Sequence, residues 1–590
     1  MTGTEHLRDG LRINFRLSGH GRYAACVAAH GRDRHALEIW DLTGDAPRPR
    51  LLRTRDGLTP MTVPIPTDDG HVLLCRLDDG DGAHHLLLAV PAPDGEETEE
   101  HQLAVVRGRG IGLIAGLSEG TAAVAFVIDA DRHTTVWRLS GLAEAPEPIA
   151  ELPGLVNGGI WLDEAGTRLA VPSAEAGAST RVLDLSRGAL VPLVGAADDE
   201  HVLRAAPRAG VLLVAARRGG AYRLGVRHRD DASPTVFPDR LNAIEGTVTP
   251  LALDLAGRRL ALSVTRGARS HLLLHDLVED TTGEIDLPPG KLYPAAQWTT
   301  AGLHLVYGAP DRPSGLVTVS DLSPARVLFA SECLPTPWTP ARVQGYDGPT
   351  GRVEAIVYGD PVTSPRVVLA LHGGPEAAWH LGFEPMFQHL AAAGIAVVAP
   401  NQRGSTGYGA AHRDAIQGAW GGPDLADIVH LGDVLAAARH PGMDRPMLYG
   451  ASYGAYLALL AAAARPDLWA RAAVVAPFLS GRELYEDGPP PVQTMLDRLG
   501  GREEPHDELG PRDLLRLADR IRLPLLVVHG ERDPIIPVAH SRRLCDRLLQ
   551  TGHHHGAELT YLEIPGAGHD PLSESGGHVV RDRLIGFLRA

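Results

Sequence analysis

The sequence predicts two domains of different class, a repetitive all-β domain over residues 1–335 and an α/β domain over residues 336–590. Two observations carry this division. Upstream, glycines at 21, 70, 120, 166, 210, 257 and 302 recur 44 to 50 residues apart, each ahead of a short apolar or alternating run. Downstream, apolar runs of strand length alternate with helix-forming segments, and Ser452 stands at one strand-to-helix turn.

Repeats of about 40 to 50 residues built only of short strands read as propeller blades, four strands to a sheet. The runs after the glycines include Leu169-Ala170-Val171, Leu260-Ala261-Leu262 and Leu303-His304-Leu305-Val306. Several units then close alike about 19 residues after the glycine, at Ile39-Trp40-Asp41-Leu42, Val182-Leu183-Asp184-Leu185, Leu274-His275-Asp276-Leu277 and Val319-Ser320-Asp321-Leu322. Aspartate suits a strand end entering a turn, because its carboxylate accepts backbone N–H groups a residue or two further on. Seven units predict a seven-bladed β-propeller. Leu334-Pro335-Thr336-Pro337-Trp338-Thr339-Pro340 follows it, a proline-rich stretch that fits a stiff linker.

In the second half, Pro446-Met447-Leu448-Tyr449 reads as a strand, Gly450-Ala451-Ser452-Tyr453-Gly454 as a tight turn, and Ala455 to Ala464 as a helix. A serine hydroxyl is a poor nucleophile until a base stands beside it. The flanking glycines would let strand and helix close up while Ser452 projects from the sheet edge. A base and its orienting acid are found downstream. The run Leu525-Leu526-Val527-Val528 precedes a loop bearing Asp533, and the run Leu559 to Ile564 precedes a loop bearing His569. The chain order Ser, Asp, His is the one an α/β-hydrolase needs, with spacings of 81 and 36 residues. Asp570 competes for the acid role, but a side chain adjacent to His569 rarely reaches its ring, so Asp533 is preferred. His553-His554-His555 suggests a metal tract. Adjacent side chains diverge, however, and Glu558 is the only carboxylate close by, so no metal is expected.

The strand-like run Arg366 to Leu371 leads directly into His372-Gly373-Gly374-Pro375, a turn whose N–H groups can face a developing oxyanion. The second donor would be the N–H of the residue after the nucleophile, Tyr453. These motifs, with Asn401 to Gly409, Trp420-Gly421, Asp424, Asp427 and His529-Gly530-Glu531-Arg532-Asp533 through Pro537, resemble the prolyl oligopeptidase family of serine peptidases. The likeness is to its acylaminoacyl-peptidase and dipeptidyl-peptidase branches and covers about residues 336–590. The resemblance implies an α/β-hydrolase domain behind a β-propeller and a substrate site in the cavity between them. It also implies Ser452 as nucleophile, Asp533 and His569 as its partners, and the N–H groups of Gly374 and Tyr453 as the oxyanion hole. Where many relatives carry glycine, this chain has Ala451, Ala455 and Asp570.

Composition narrows the remaining classes. A chain of 590 residues exceeds one core. A net charge of −16 argues against nucleic acid, whose phosphates need a basic surface. No run of 18 apolar residues occurs and the first 20 residues carry Glu5, Arg8, Asp9, Arg12 and Arg16, so neither a membrane span nor a secretory leader is expected. Cys26, Cys75, Cys333 and Cys545 are widely spaced, which fits reduced thiols in the cytoplasm. Among 56 basic residues only Lys291 is a lysine. Arg403, in a glycine-rich loop after the run Ile395 to Ala399, is a candidate substrate contact, or else a brace to Asp424 or Asp427. Glu175 and Asp231 are candidate carboxylates for a substrate amine.

The expected activity is a serine hydrolase acting on short or N-acylated peptides, with no metal or organic cofactor. Two alternatives stay open at this point. One is an esterase or a biosynthetic acyl transferase or cyclase using the same triad, and the other is a non-catalytic scaffold. Self-association into a homo-oligomer is also left open.

Overall fold

The computed structural model describes the chain except residues 1–10, 31–33, 45–46, 56, 78–82, 93–94, 96, 119, 143, 173–179, 323–324, 331–337, 504, 557 and 575. The linker expected around residues 334–340 and the boundary between 335 and 336 fall largely in 331–337, outside the described residues, as does Glu175.

Seven antiparallel sheets, each built from consecutive strands, occupy residues 12–52, 64–107, 110–152, 160–192, 201–228, 247–285 and 291–329. They are the seven blades of a propeller. The seven spaced glycines all adopt positive φ, from 65° to 136°, and stand at the turn into each blade's second strand. An L-residue is strained there and glycine is not, which explains the period of the sequence. Three of the four aspartates at strand ends act as expected, and the side chain of Asp321 lies outside the described residues. Oδ1 of Asp41 accepts from Thr43, that of Asp184 from Ser186, and that of Asp276 from Val278 and Glu279. Blade 5 has three strands; Val236 pairs with Val226 through both backbone hydrogen bonds at the fourth position. Apolar faces of adjoining blades pack on one another, as Leu73, Leu86 and Leu88 do on Ala123, Ala125 and Leu139. The ring closes where the first strand of blade 1 meets blade 7. Gln297 Nε2 donates to Gly19 O there, and Ser314 Oγ to Arg12 O.

The strands of the second domain are β1 (Ala341–Gly348), β2 (Gly351–Tyr358), β3 (Arg366–Leu371), β4 (Ile395–Asn401), β5 (Met447–Ala451), β6 (Ala472–Val475), β7 (Leu525–Gly530) and β8 (Leu559–Ile564). They form one sheet in the order β1-β2-β4-β3-β5-β6-β7-β8, with β1 and β2 antiparallel and the rest parallel. Parallel strands covered on both faces need unbroken apolar runs, which is what Val367 to Leu371 and Leu525 to Val528 supply. One face packs on helices Pro385–Ala392 and Gly577–Arg589, the other on Pro423–Ala438 and Tyr453–Ala464. This is an α/β-hydrolase domain. The propeller docks on it through Gly267 N to Gly407 O, Leu381 N to Ala268 O and Gln388 Nε2 to Pro310 O, and Ala268 is buried within the hydrolase core. No helix among the described residues is long and apolar enough to cross a membrane.

Burial also makes stability depend on pH. His304, His372, His380 and His540 are each pushed down from 6.5 to about 4 by burial. The unfolded chain protonates them near pH 6.5, whereas the folded chain does so only near pH 4. Their contribution is therefore present above pH 6.5 and is lost as pH falls through about 4. Burial raises Asp424 to about 6 and Glu384 to about 7, and these two act in the opposite sense. Burial also lowers His275 and His412 and raises Asp427, so with six histidines against three carboxyls Tm is expected to be lower at pH 5 than at pH 7.5. A calorimetric Tm that is equal or higher at pH 5 would contradict this.

Candidate active site

The predicted residues gather at the carboxyl ends of the central strands, where an open α/β sheet places its ligand site. Ser452 follows β5 with φ 55° and ψ −121°, a strained conformation for any residue but glycine. Its N–H donates to Val475 O at 2.8 Å, and its carbonyl accepts from Ala455 N at 2.9 Å, so the turn is held from both sides. The glycines around it are required by space. A Cβ on Gly450 would collide with the carbonyl of Gly454, and one on Gly454 with the carbonyls of Leu371 and His372. Gly454→Ala therefore has to push the helix off β3. The expected cost is about 1–3 kcal/mol of unfolding free energy, measured by denaturant titration, together with lost activity. An unchanged midpoint would mean that the close approach is dispensable.

β7 and β8 are neighbours, and the loops that follow them are joined. Glu531 N donates to Ile564 O at 3.0 Å, Arg532 N to Ala567 O at 2.8 Å, and Gly566 N to Glu531 Oε2 at 2.8 Å. Gly530 makes this possible, because a side chain there would strike the carbonyls of Ala567 and Gly568. The joined loops place His569 Nδ1 2.7 Å from Asp533 Oδ2, while Asp533 Oδ1 accepts from the N–H groups of Ile535 and Ile536 at 2.8 and 3.0 Å. Burial alone would raise this carboxyl. Hydrogen bonds from His529, His569 and Ile536 N outweigh burial and hold it well below the usual carboxylate range, so it stays ionised. Asp570 does not share in this arrangement; it is exposed and accepts from Ser573 Oγ.

The turn after β3 lies against the serine, since a methyl at Gly373 would sit 3.5 Å from Ser452 Cβ. His372 fixes this turn. Its Nδ1 is 2.7 Å from Gly373 O and its Nε2 2.8 Å from Ser405 Oγ. Gly374 takes φ 123°. Tyr453 opens the following helix, so its N–H is a first-turn donor with no acceptor inside the helix. Neither the N–H of Gly374 nor that of Tyr453 is taken by an acceptor among the described residues.

Two groups behind the site escaped sequence reading. His529 is buried 3.2 Å from Asp533 Oδ2, and its own Nδ1 is tied to Ser541 Oγ at 2.7 Å. Asp424 is buried and accepts from the hydroxyl of Tyr453. Both stand in motifs quoted above, at His529 to Asp533 and around Trp420 to Asp427, but their roles depend on contacts across the fold. Of the two roles open for Arg403 the structure shows the brace to Asp427: the residue is buried, with Nη1 on Asp427 Oδ2 at 3.0 Å, Nη2 on Thr350 Oγ1 at 2.8 Å, and its own N–H on Asp427 at 2.9 Å. It braces the loop after β4. Asp231 is exposed, and its carboxylate accepts from Ser233.

A cavity of about 1400 Å³ lies between the domains, lined from the hydrolase side by His569, Asp570 and Glu384 and from the propeller side by inner strands of several blades. The carboxyl of Glu384 is raised to about 7 by burial and by the charge of Asp570, against the pull of Lys291 and Arg581.

Residues 381–589 match the model of the prolyl oligopeptidase family. Dipeptidyl aminopeptidase BIII of Pseudoxanthomonas mexicana is 29% identical over 289 residues, 46% of this chain and 40% of that protein. The uncharacterized peptidase YuxL of Bacillus subtilis is 30% identical over 230 residues, 38% of this chain and 34% of that protein. The aligned segments thus span well under half of these relatives. Two solved structures share the architecture over nearly the whole chain. A puromycin-hydrolyzing peptidase of Mycobacterium tuberculosis superposes with a TM-score of 0.72 at 19% identity, covering 100% of this chain and 95% of its own. The acylaminoacyl peptidase of Pyrococcus horikoshii does so with 0.73 at 14% identity, covering 99% and 95%. At those identities the likeness is one of fold.

Proposed function

The C-terminal domain of this chain belongs to the prolyl oligopeptidase family, and from that premise we propose that the protein is a serine peptidase cleaving short or N-acylated peptides through an acyl-enzyme on Ser452. The observation that carries the reading is the ionised Asp533 bonded to His569 at the rim of the inter-domain cavity, on the same sheet end as the strained Ser452 turn. In this mechanism neutral His569 takes the Ser452 proton as the hydroxyl oxygen attacks the scissile carbonyl. Asp533 holds the Nδ1 proton and steadies the imidazolium. The N–H groups of Gly374 and Tyr453 receive the oxyanion. His569 then protonates the leaving amine, and water, activated by the same imidazole, releases the acid.

The cavity sets the size of the substrate. A folded domain of 100 residues has a radius of gyration of about 13 Å and cannot enter, whereas an extended peptide can. The test is a digest of a folded, disulfide-free protein alongside peptides of the same sequence, read by mass spectrometry. Peptides should be cleaved and the folded protein left intact. Equal rates would remove the propeller's role in admission, and no cleavage of any peptide would overturn the peptidase reading. Product masses also separate hydrolysis from transfer of the acyl group to an amine.

A further inference from the structure

Blade 6 reaches out of the propeller at one turn. Its strands Arg259–Arg266 and Arg269–Asp276 are joined by two residues, Gly267 and Ala268, with Arg266 paired to Arg269. Gly267 takes φ 59° at the first central position, where such a turn calls for glycine. The two tip residues lie outside the ladder, so their N–H and C=O groups need partners elsewhere. The hydrolase domain supplies two. Gly267 N donates to Gly407 O and Ala268 O accepts from Leu381 N, both at 2.9 Å. Ala268 itself is fully buried in the apolar cluster that holds Leu381, Ile356 and Tyr358. The fit is tight from both sides, since a methyl on Gly407 would sit 2.9 Å from Gly267 O and one on Gly267 2.6 Å from Glu354 Oε2.

The two loops gripped by this tip are the ones that shape the oxyanion turn. Leu381 lies in the segment that continues from His372-Gly373-Gly374-Pro375, and Gly407 in the loop after β4. Between those points the two segments are laced together. His372 Nε2 is 2.8 Å from Ser405 Oγ, and Thr406 N donates to Ala377 O at 2.9 Å. Asn401 bonds Trp379 twice, Oδ1 accepting from its N–H at 2.7 Å and Nδ2 donating to its carbonyl at 2.9 Å. Nδ2 also donates to the Tyr408 hydroxyl at 2.8 Å, which in turn donates to Glu354 Oε2 at 3.1 Å. The tip thus holds the lacing at its far ends, at Leu381 and at Gly407 next to Thr406. Without it the two loops would brace each other but lose an outside support. Oxyanion donors work because they are set in place beforehand, and a misplacement of about 1 Å can cost about 10²-fold in rate. The loops after β7 and β8, which carry Asp533 and His569, are held by bonds of their own.

We propose that Gly267 and Ala268, the hairpin tip of blade 6, are positioning residues for the oxyanion turn: they fix where the Gly374 N–H points, acting through Leu381 and Gly407 rather than by touching substrate. This rests on the peptidase reading above, because that reading makes the Gly374 N–H a donor to the oxyanion. Gly267 and Ala268 do not line the cavity, so their effect is separate from the propeller's control of substrate size.

The test separates stabilisation of the oxyanion from substrate binding and from the base. Ala268→Leu overpacks the socket of the tip, and Gly407→Ala crowds the same contact from the hydrolase side. Calorimetric Tm and the extent of fluorophosphonate labelling give the folded fraction to which rates are referred. Each variant is expected to lower kcat on a cleaved peptide by about tenfold or more, within the loss of about 10²–10³ that removing an oxyanion donor costs. The probe is an N-acetylated alanine tripeptide ending in an aldehyde, beside the same tripeptide as its amide. Ser452 Oγ adds to the aldehyde carbon, the carbonyl π pair moves onto oxygen and the serine proton passes to His569, so the adduct sets an oxyanion on the turn. Its inhibition constant should rise by the factor by which kcat falls. The dissociation constant of the amide, measured on the Ser452→Ala background, and the apparent pKa of kcat/KM should stay level. Ala268→Gly removes one methyl and keeps both backbone bonds, so it should fold like wild type, with a smaller loss of kcat and faster amide exchange over residues 372–381. Folded Ala268→Leu and Gly407→Ala proteins with wild-type kcat, a fall in kcat with unchanged aldehyde inhibition, or amide binding that weakens in step with kcat would each overturn the proposal. If neither variant folds, wild-type exchange and aldehyde inhibition in Ala268→Gly would overturn it. A wild-type protein that cleaves no peptide would overturn the peptidase reading instead, while formation of the aldehyde adduct would still report on the tip.

Discussion

Ser452→Ala is expected to lower kcat/KM on a cleaved peptide by about 10⁴-fold or more, with Tm nearly unchanged. The hydroxyl makes no hydrogen bond within the described residues and Ser452 is only half-buried, so its loss leaves packing and the backbone bond to Val475 in place. Alanine pays the same backbone strain as serine at φ 55°, which keeps the turn neutral in the comparison. The variant should also fail to react with a fluorophosphonate that labels the wild-type chain at Ser452, as peptide mapping would report. Retention of most activity in a preparation free of other hydrolases would remove Ser452 from the mechanism, and labelling at another serine would name its replacement.

The sequence was most legible where a backbone demand repeats. Seven glycines in register marked seven turns of positive φ, and aspartates marked the strand ends that follow, because each answers a local geometric need that leaves a residue type behind. Blade 5 was less legible. Its spacing matches the others, yet its outer position is held by a single bridge at Val236, and nothing in the local pattern around Pro234 and Phe237 distinguishes that from a strand. At the candidate site, Ser452, Asp533 and His569 could be picked out by chain order, and the structure pairs Asp533 with His569. Long-range partners were not readable. Whether Arg403 faces a ligand or Asp427 depends on how the loop after β4 lies on helix Pro423–Ala438, a tertiary fact with no residue signature.

Asp533→Asn is expected to reduce kcat by about 10⁴-fold without unfolding the protein, and the cause is the direction of hydrogen bonds rather than loss of charge alone. Asp533 uses its two oxygens differently. Oδ1 accepts from the N–H groups of Ile535 and Ile536, and Oδ2 accepts from His569 Nδ1 with His529 Nε2 3.2 Å away. An asparagine at 533 must keep its carbonyl oxygen on the two backbone donors, because turning the amide over would set N–H against N–H twice. Its NH₂ group then faces His569 Nδ1, which has to become an acceptor. The imidazole proton moves to Nε2, the nitrogen that should receive the proton of Ser452, and the base is lost although every heavy atom keeps its place. The Nδ1 proton resonance of His569, bonded to a carboxylate in the wild-type chain, should vanish from the low-field NMR spectrum of the variant, while KM changes much less than kcat. Activity within tenfold of wild type, with that resonance absent, would show that the chemistry does not depend on the tautomer that Asp533 sets.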